Sequence, residues 1–164
     1  MKICIYGAGA LGGFIGAKLS LAGSDVTLVA RGPQLKAIQK NGITIQTNNE
    51  EVLARPTAIE KPEKVGPQDY VIITLKAHST IDIVDSIQPL LGPNTAVVWC
   101  VNGVPWWYFY NLEGNYTDKR LSTLDPENLL WNKITPQRVI GCVAYPAAEV
   151  LDPGIIKHVE GNRL

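Results

Sequence analysis

Runs of apolar residues alternate with amphipathic segments along the first part of the chain. The apolar runs are typical of buried β-strands and lie at residues 2–7, 25–30, 69–75 and 95–101. Segments with helical spacing lie at residues 10–23, 33–42 and 79–92. Strands that are apolar on both faces and alternate with helices form parallel sheets. The pattern therefore predicts an α/β fold with a doubly wound, mostly parallel sheet.

The spacing is less regular in the rest of the chain. Residues 43–47 and 51–60 predict short strands or a hairpin, and residues 138–145 and 154–162 predict two late strands. Residues 103–137, by contrast, are aromatic and then polar without a clear period. We interpret residues 1–164 as a single domain. Because the chain stops directly after a predicted strand, we expect it to be the first part of a longer protein.

The composition is that of a globular protein without a strongly charged partner. Of the 164 residues, 46% are hydrophobic and 18% are charged, and 15 Lys and Arg balance 15 Asp and Glu. This balance gives no indication of binding to nucleic acid or to an anionic membrane surface. No apolar stretch approaches the roughly 20 residues that span a bilayer. We expect any anion to be bound locally.

The cysteines and histidines give little indication of chemistry. Cys4, Cys100 and Cys142 each lie in an apolar run, which favours buried thiols in a reduced, cytoplasmic protein over disulfides or a reactive cysteine. His78 fits a solvated loop, although it could also approach a ribose, and His158 has no carboxylate nearby in the sequence. No group of His, Cys, Asp and Glu has the spacing of metal ligands, so no metal site is predicted.

A glycine-rich loop after the first strand carries the strongest indication of function. Gly7, Gly9 and Gly12 have the spacing G-x-G-x-x-G between a predicted strand and a predicted helix. The first glycine allows a tight turn, the second lets the backbone approach a pyrophosphate, and the third lets helix and strand pack closely. The phosphates then meet free N–H groups at the helix N-terminus. This context predicts a Rossmann-type dinucleotide-binding site rather than a turn without a ligand.

The end of the second strand indicates which dinucleotide is bound. NAD-binding sites usually place Asp or Glu there, about 20 residues beyond the glycines, to bind the ribose hydroxyls. This chain has Ala30 and Arg31 instead. A guanidinium can bind a 2′-phosphate with two hydrogen bonds, so Arg31 favours NADP unless it is a solvated loop residue.

Lys76 and Asn102 follow the next two long strands of the predicted sheet. Ligands of open parallel sheets bind at the carboxyl ends of the strands, where both side chains are expected. Lys76 also precedes a predicted helix, whose N-terminus is unfavourable for a cation unless an anion is bound. We therefore predict that Lys76 binds a phosphate, a ribose hydroxyl or a substrate carboxylate, and that Asn102 lies in the same crevice. The alternatives are a surface lysine and an ordinary Asn-Gly turn.

Several segments together resemble the N-terminal domain of the ketopantoate reductases (2-dehydropantoate 2-reductases). They are KICIYGAGALGG, LVARGPQ, VIITLKAHS, CVNGV and GIIKHVEGN, and the resemblance covers nearly the whole chain. It implies NADPH-dependent reduction of 2-dehydropantoate to pantoate, on the route to pantothenate and coenzyme A.

The resemblance also implies roles for individual residues. It assigns the pyrophosphate to Gly7, Ala8, Gly9, Ala10, Leu11 and Gly12. Arg31 would bind the 2′-phosphate, and Lys76 would line the cofactor side of the cleft. Asn102 would contact both cofactor and substrate. An alanine that contacts the cofactor in the family falls at Ala147.

The sequence departs from this family in two ways. Family members have a second, all-helical domain that supplies the catalytic lysine and most polar groups for the substrate, and it is absent from these 164 residues. No catalytic residue is therefore assigned within the chain, and we expect the chain alone to be inactive. After Asn102, many members have a plain helix, whereas this chain has aromatic residues at 105–111. These are core or a surface against another domain, or they shape a pocket for a bulkier 2-oxo acid.

Two other functions fit the same fold. A nucleotide-sensing regulatory module would bind a dinucleotide without reacting, but such modules usually end the second strand with an acid, and this chain has Arg31. A structural relic would bind nothing. For the reductase we expect a small 2-oxo acid as partner, no nucleic acid and no membrane, and we allow for a homodimer.

Overall fold

The chain folds into two β-sheets that share one helix. The computed structural model describes residues 1–161 and 163. The strands are β1 (Lys2–Tyr6), β2 (Asp25–Val29), β3 (Ile43–Gln46), β4 (Glu51–Ala54), β5 (Thr57–Ile59), β6 (Tyr70–Ile73), β7 (Ala96–Trp99), β8 (Val139–Gly141), β9 (Ala147–Asp152) and β10 (Ile155–Glu160). The helices are α1 (Ala10–Leu21), α2 (Gly32–Asn41) and α3 (Leu129–Lys133). Residue 162, the last of the predicted strand 154–162, lies outside the described residues.

The main sheet contains six strands in the order β5-β2-β1-β6-β7-β8. Every neighbouring pair is parallel. This is the strand order of dinucleotide-binding domains, so the predicted Rossmann-type α/β fold is confirmed. Strands β1 and β6 are buried except at their first residue, which explains why their sequences are apolar on both faces.

A second sheet of four strands is not indicated by the sequence pattern. Its order is β4-β3-β10-β9. Strand β10 is parallel to β3, whereas β4 and β9 are antiparallel to their neighbours. The predicted hairpin forms between β3 and β4, but β5 leaves it and joins the main sheet beside β2. Strand β10, late in the chain, thus pairs with the early strand β3. Local spacing in the sequence cannot reveal such a pairing.

Helix α1 lies between the two sheets. On one side, a Cβ added at Gly16 would come within 2.5 Å of Leu28 in the main sheet. On the other side, a Cβ added at Gly13 would overlap the side chain of Ile156 in the small sheet. A helix packed on two sides is buried around most of its circumference, and residues 12–17 of α1 are all buried.

The segment after β6 is not the predicted α-helix at residues 79–92. It consists of short 3₁₀ turns at Ala77–Ser79, Ile81–Ile83 and Gln88–Leu90. Side-chain hydroxyls compete here for backbone carbonyls: Thr80 Oγ1 donates to Ala77 O at 2.8 Å, and Ser86 Oγ donates to Ile83 O at 3.1 Å. The apolar residues of the segment nevertheless pack on the main sheet, where Ile83 and Ile87 are buried.

The region without a clear period, residues 103–137, covers the same face of the sheet with turns and the short helix α3. Trp106, Leu130 and Trp131 are buried there, so the core interpretation is right for Trp106. Tyr108, by contrast, is 57% exposed. The aromatic segment therefore contributes both to the core and to the surface.

Asp125 fixes the start of α3. Its buried carboxylate accepts hydrogen bonds from the backbone N–H of Leu130 at 2.8 Å and of Trp131 at 2.9 Å. Free N–H groups at a helix start need such acceptors, and an anion is favoured there. One side chain thus defines where the helix begins in this polar segment.

Replacing Asp125 should destabilise the fold. Asp125→Ala leaves two buried N–H groups without an acceptor, so the free energy of unfolding should fall by about 1–3 kcal/mol. Urea denaturation measures this change. The control is Asp152→Ala at an exposed position of β9, which should change stability by less than about 0.5 kcal/mol. Equal effects of the two substitutions would contradict the assignment.

Candidate functional site

The glycine-rich loop lies between β1 and α1 at the carboxyl edge of the main sheet. Gly7 has a φ of 108°, a conformation that other residues rarely adopt. Its N–H donates to Val29 O at 3.2 Å, and its carbonyl oxygen accepts a hydrogen bond from Thr74 Oγ1 at 2.7 Å. The loop is thus held between the ends of β2 and β6.

Gly12 and Gly9 differ in the space that surrounds their Cα atoms. A Cβ at Gly12 would overlap the carbonyl oxygen of Gly7 and the hydroxyl of Thr74, so the fold itself requires glycine there. A Cβ at Gly9 would meet nothing within 4 Å, and Gly9 has an ordinary φ of −75°. The space left open at Gly9 lies over the first turn of α1, whose N–H groups have no partner within the helix. This arrangement fits a bound phosphate group.

Gln34 joins the glycine loop to the small sheet. Its Nε2 donates to Ala8 O at 2.9 Å, and its Oε1 accepts a hydrogen bond from Gly154 N at 3.0 Å. Gly154 lies in the turn between β9 and β10. Gln34 therefore fixes the orientation of a loop peptide, a role that no local sequence pattern indicates.

A crevice of about 630 Å³ opens beside this loop. It is lined by four of the predicted site residues, Gly7, Ala8, Gly9 and Arg31. Ala10 and Leu11 begin α1 directly behind Gly9. The structure thus brings the glycine loop and Arg31 together around one cavity at the carboxyl edge of the sheet, as the sequence predicted for a dinucleotide site.

Positive charge collects where β2 ends. Arg31 is exposed, precedes α2 and lines the crevice. The first turn of α2 contains no acidic residue, so the partial positive charge of the helix N-terminus is not neutralised there. Guanidinium and helix together favour an anionic group at this end of the crevice.

Sequence reasoning missed two acidic residues in the crevice wall. Glu60 follows β5 together with Lys61, and Asp82 lies in a 3₁₀ turn after β6. Carboxylates accept hydrogen bonds from ribose hydroxyls, as the acid of an NAD site does. Recognising β5 as a member of the main sheet would have drawn attention to Glu60, since Val29 pairs with Ile59 and Glu60 therefore follows β5 as Ala30, next to Arg31, follows β2.

Tyr6 contributes a phenol to the crevice wall. Its hydroxyl oxygen lies 2.7 Å from Ser86 Oγ, which itself donates to Ile83 O. Burial raises the pKa of Tyr6, and the hydrogen bond with Ser86 offsets part of this effect. The phenol therefore stays protonated at neutral pH and acts as a neutral hydrogen-bonding group.

The remaining predicted residues lie outside the lining of this crevice. Lys76 and Asn102 are exposed just beyond β6 and β7. Ala147 begins β9 and pairs with Glu160 of β10. Lys76 precedes only a three-residue 3₁₀ turn, so the argument from an α-helix N-terminus is wrong. The roles of these three residues stay predictions.

The buried cysteines and the potential metal ligands give no second candidate site in the described residues. Burial raises the pKa of Cys4 to about 12, and burial together with the neighbouring thiol of Cys142 raises the pKa of Cys100 to about 12, so both thiols stay protonated. His158 stacks on Phe14 with ring centroids 4.5 Å apart. Within residues 1–161 and 163, no group of three potential metal ligands occurs, and no helix is long and apolar enough to cross a membrane.

Comparison with known sequences relates this chain to a family. Residues 3–115 match the family model described as ketopantoate reductase PanE/ApbA. A 2-dehydropantoate 2-reductase from Mesorhizobium japonicum is 52% identical over 164 residues, which are 99% of this chain and 50% of the relative. A 2-dehydropantoate 2-reductase from Pyrococcus horikoshii is 36% identical over 105 residues, covering 63% of this chain and 34% of the relative.

Solved structures show the same relationship. A crystal structure from Ralstonia solanacearum MolK2 matches with a TM-score of 0.89 and 38% identity, over 98% of this chain and 49% of that one. The 2-dehydropantoate 2-reductase from Geobacter metallireducens GS-15 has a TM-score of 0.77 and 28% identity, over 98% and 47% respectively. The chain thus spans about half the length of these relatives.

Substitutions at Gly9 and Gly12 should separate ligand binding from folding. Gly9→Ala should leave the melting temperature nearly unchanged but weaken NADPH binding at least about tenfold, because a new methyl group would occupy the phosphate space. Gly12→Ala should lower the free energy of unfolding by about 1–3 kcal/mol or more, because it overpacks the loop. Thermal melts and calorimetric titration measure the two effects. Unchanged NADPH affinity in Gly9→Ala would show that no phosphate lies there.

Proposed function

Since the chain belongs to the ketopantoate reductase family, we propose that it forms the NADPH-binding half of an enzyme that reduces a 2-oxo acid, 2-dehydropantoate, to the 2-hydroxy acid pantoate. The observation that carries the proposal is the crevice at the carboxyl edge of the sheet. It combines a glycine loop, open at Gly9, with the guanidinium of Arg31.

The strand order indicates how the cofactor would lie. Arg31 follows β2, the glycine loop follows β1, and Lys76 and Asn102 follow β6 and β7 on the other side of β1. A dinucleotide with its 2′-phosphate at Arg31 and its pyrophosphate on the loop would extend towards the ends of β6 and β7. Lys76 and Asn102 are therefore expected at the nicotinamide end, which supports their predicted roles.

The residues of this chain would bind and orient rather than react. When bound, NADPH supplies the hydride. The first-turn N–H groups of α1 bind the pyrophosphate, and Thr74 and Gln34 hold the loop in place for it. Asn102 can donate to and accept from the cofactor and the substrate at once. Holding both partners in a fixed geometry is a major source of rate enhancement in such reactions.

A reductase for a bulkier 2-oxo acid is a second candidate. The segment directly after Asn102 exposes large apolar side chains, with Val104 at 59% and Tyr108 at 57%. A substrate bound at Asn102 would lie close to this segment along the chain. Apolar walls of that kind favour a substrate with a larger hydrocarbon group than 2-dehydropantoate has.

Cofactor preference tests the proposed site. The chain should bind NADPH more tightly than NADH, and Arg31→Ala should weaken NADPH binding about tenfold or more while NADH binding changes little. The physical reason is that a charge-assisted hydrogen bond contributes roughly 1.5–3 kcal/mol, and only NADPH carries the 2′-phosphate. Calorimetric titration with both cofactors provides the measurement.

The matched control is Lys36→Ala, which removes an exposed cation within α2 that does not line the crevice. It should leave both affinities unchanged. Equal affinity of the parent chain for the two cofactors would reject the assignment of Arg31. Glu60 and Asp82 would then be the residues to substitute, since their carboxylates can bind the ribose of NADH.

A turnover assay tests the proposal that the general acid lies outside this chain. The 164-residue chain alone should not oxidise NADPH at a measurable rate with 2-dehydropantoate. A general acid typically contributes about 10²–10⁴-fold in rate, and none is assigned to this chain. Adding the half of the M. japonicum relative that this chain does not match should restore the reaction. Enzyme-like rates from the chain alone would contradict the proposal and make Lys76 and His78 the candidate acids.

A further inference from the structure

Lys61 follows β5 at the same level of the main sheet at which Arg31 follows β2. Val29 pairs with Ile59 at the last register position of these parallel strands, and Ala30 N donates to Ile59 O at 2.9 Å just beyond it. Arg31 and Lys61 each come two residues after this last pair. Because neighbouring strands lie about 4.8 Å apart, the two cationic residues leave the sheet side by side.

Both cations line the cofactor crevice, and no carboxylate neutralises either of them within the part of the chain that the structure describes. Arg31 and Lys61 belong to the same lining. The ion pairs formed by the described residues include neither of them, although Glu60 lines the crevice as well. Like charges that converge in this way repel each other, so the arrangement becomes favourable when an anion lies between them.

The backbone is restricted at both positions. Lys61 precedes Pro62, and the residue before a proline is confined mainly to extended conformations. Pro62 is buried, and its carbonyl oxygen accepts a hydrogen bond from Val65 N at 3.0 Å. Arg31 is extended, with a φ of −141° and a ψ of 163°. Both cations are therefore presented from defined backbone positions, which reduces the entropy lost when a ligand binds.

A phosphate monoester has the charge that such a pair of cations requires. It carries about −1.5 to −2 at pH 7, so a single guanidinium leaves part of its charge uncompensated. A guanidinium binds two phosphate oxygens with a planar fork, whereas an ammonium acts as a point charge with three donors. One arginine and one lysine together can therefore match both the charge and the oxygen acceptors of a 2′-phosphate.

We propose that Lys61 is a second ligand of the 2′-phosphate beside Arg31 and that it helps to determine the preference for NADPH over NADH. This inference rests on the proposed cofactor site and adds a specificity-determining residue to it. Lys61 reaches the site because β5 joins the main sheet beside β2 instead of remaining in a hairpin with β4.

Binding of the two cofactors tests the role of Lys61. Lys61→Met keeps most of the side chain's length but removes its charge. It should weaken NADPH binding about five- to tenfold, less than a buried charged hydrogen bond would, because the site is open to water. NADH binding should stay unchanged, since NADH lacks the 2′-phosphate. Lys61→Arg, which retains the charge, should preserve the preference for NADPH, and calorimetric titration measures all of these affinities.

Lys64→Met is the matched control. Lys64 is an exposed lysine three residues further along the same segment, and it does not line the crevice. Its substitution should leave both affinities unchanged. An equal loss of NADPH affinity in Lys61→Met and Lys64→Met would show a general effect of net charge and would overturn the proposal.

Phosphorus NMR of bound NADP⁺ tests whether the ammonium acts on the 2′-phosphate itself. Nearby cations favour the dianion, so the pKa of the bound 2′-phosphate should be lower than in free NADP⁺. This lowering should become smaller in Lys61→Met and should match the parent in Lys64→Met. A bound-phosphate pKa that is the same in Lys61→Met and in the parent would overturn the proposal, because a merely structural lysine would not change it.

The outcomes separate this inference from the proposed function. If the parent prefers NADPH and Arg31→Ala removes the preference while Lys61→Met does not, the role of Lys61 is wrong and the proposed function stands. Equal affinity of the parent for both cofactors would overturn both. A lower melting temperature of Lys61→Met, with equal losses of NADPH and NADH affinity, would show a structural role and would overturn only the proposal for Lys61.

Discussion

Helix α1 must approach the glycine loop and two sheets at once, and the other features of the structure depend on this close packing. Gly12 lies against the carbonyl of Gly7, and Gly13 lies against Ile156 of the small sheet. A side chain at Gly12 would push the helix away from β1, and one at Gly13 would push it away from the small sheet. Its free N–H groups would then no longer meet the edge of the sheet where the crevice opens. The contacts that make the fold compact are therefore the same contacts that shape the proposed anion site.

The proposed anion site depends on local placement of charge rather than on net charge. The chain has 15 basic and 15 acidic residues, yet Arg31 and the N-termini of α1 and α2 converge on one crevice. Glu60 and Asp82 face the same cavity and oppose this positive charge. Because phosphates need cations and ribose hydroxyls need acceptors, both kinds of group have a use along one dinucleotide. Their relative positions decide which cofactor is preferred.

The sequence was sufficient where short-range rules act. The strands β1 and β2, the helices α1 and α2, and the loop at Gly7 follow from spacing and turn chemistry within a few tens of residues, and all were predicted. Pairing of β10 with β3 joins distant parts of the chain, so the small sheet could not be predicted. The segment at residues 79–92 has helical spacing, but a hydroxyl, Ser86 Oγ, competes for one of its carbonyls, Ile83 O. Trp106 is buried in a cluster with residues distant in the sequence, such as Leu130, so its burial does not follow from local spacing.

Strand β9 connects an apolar groove beside α1 with the crevice at the glycine loop. Pro146, just before β9, lies at the apolar groove, and Val150 within β9 lines the cofactor crevice. The turn after β9 is bonded through Gly154 to Gln34, which holds the glycine loop. One strand and one hydrogen-bonded turn therefore join the groove beside α1 to the loop that lines the crevice.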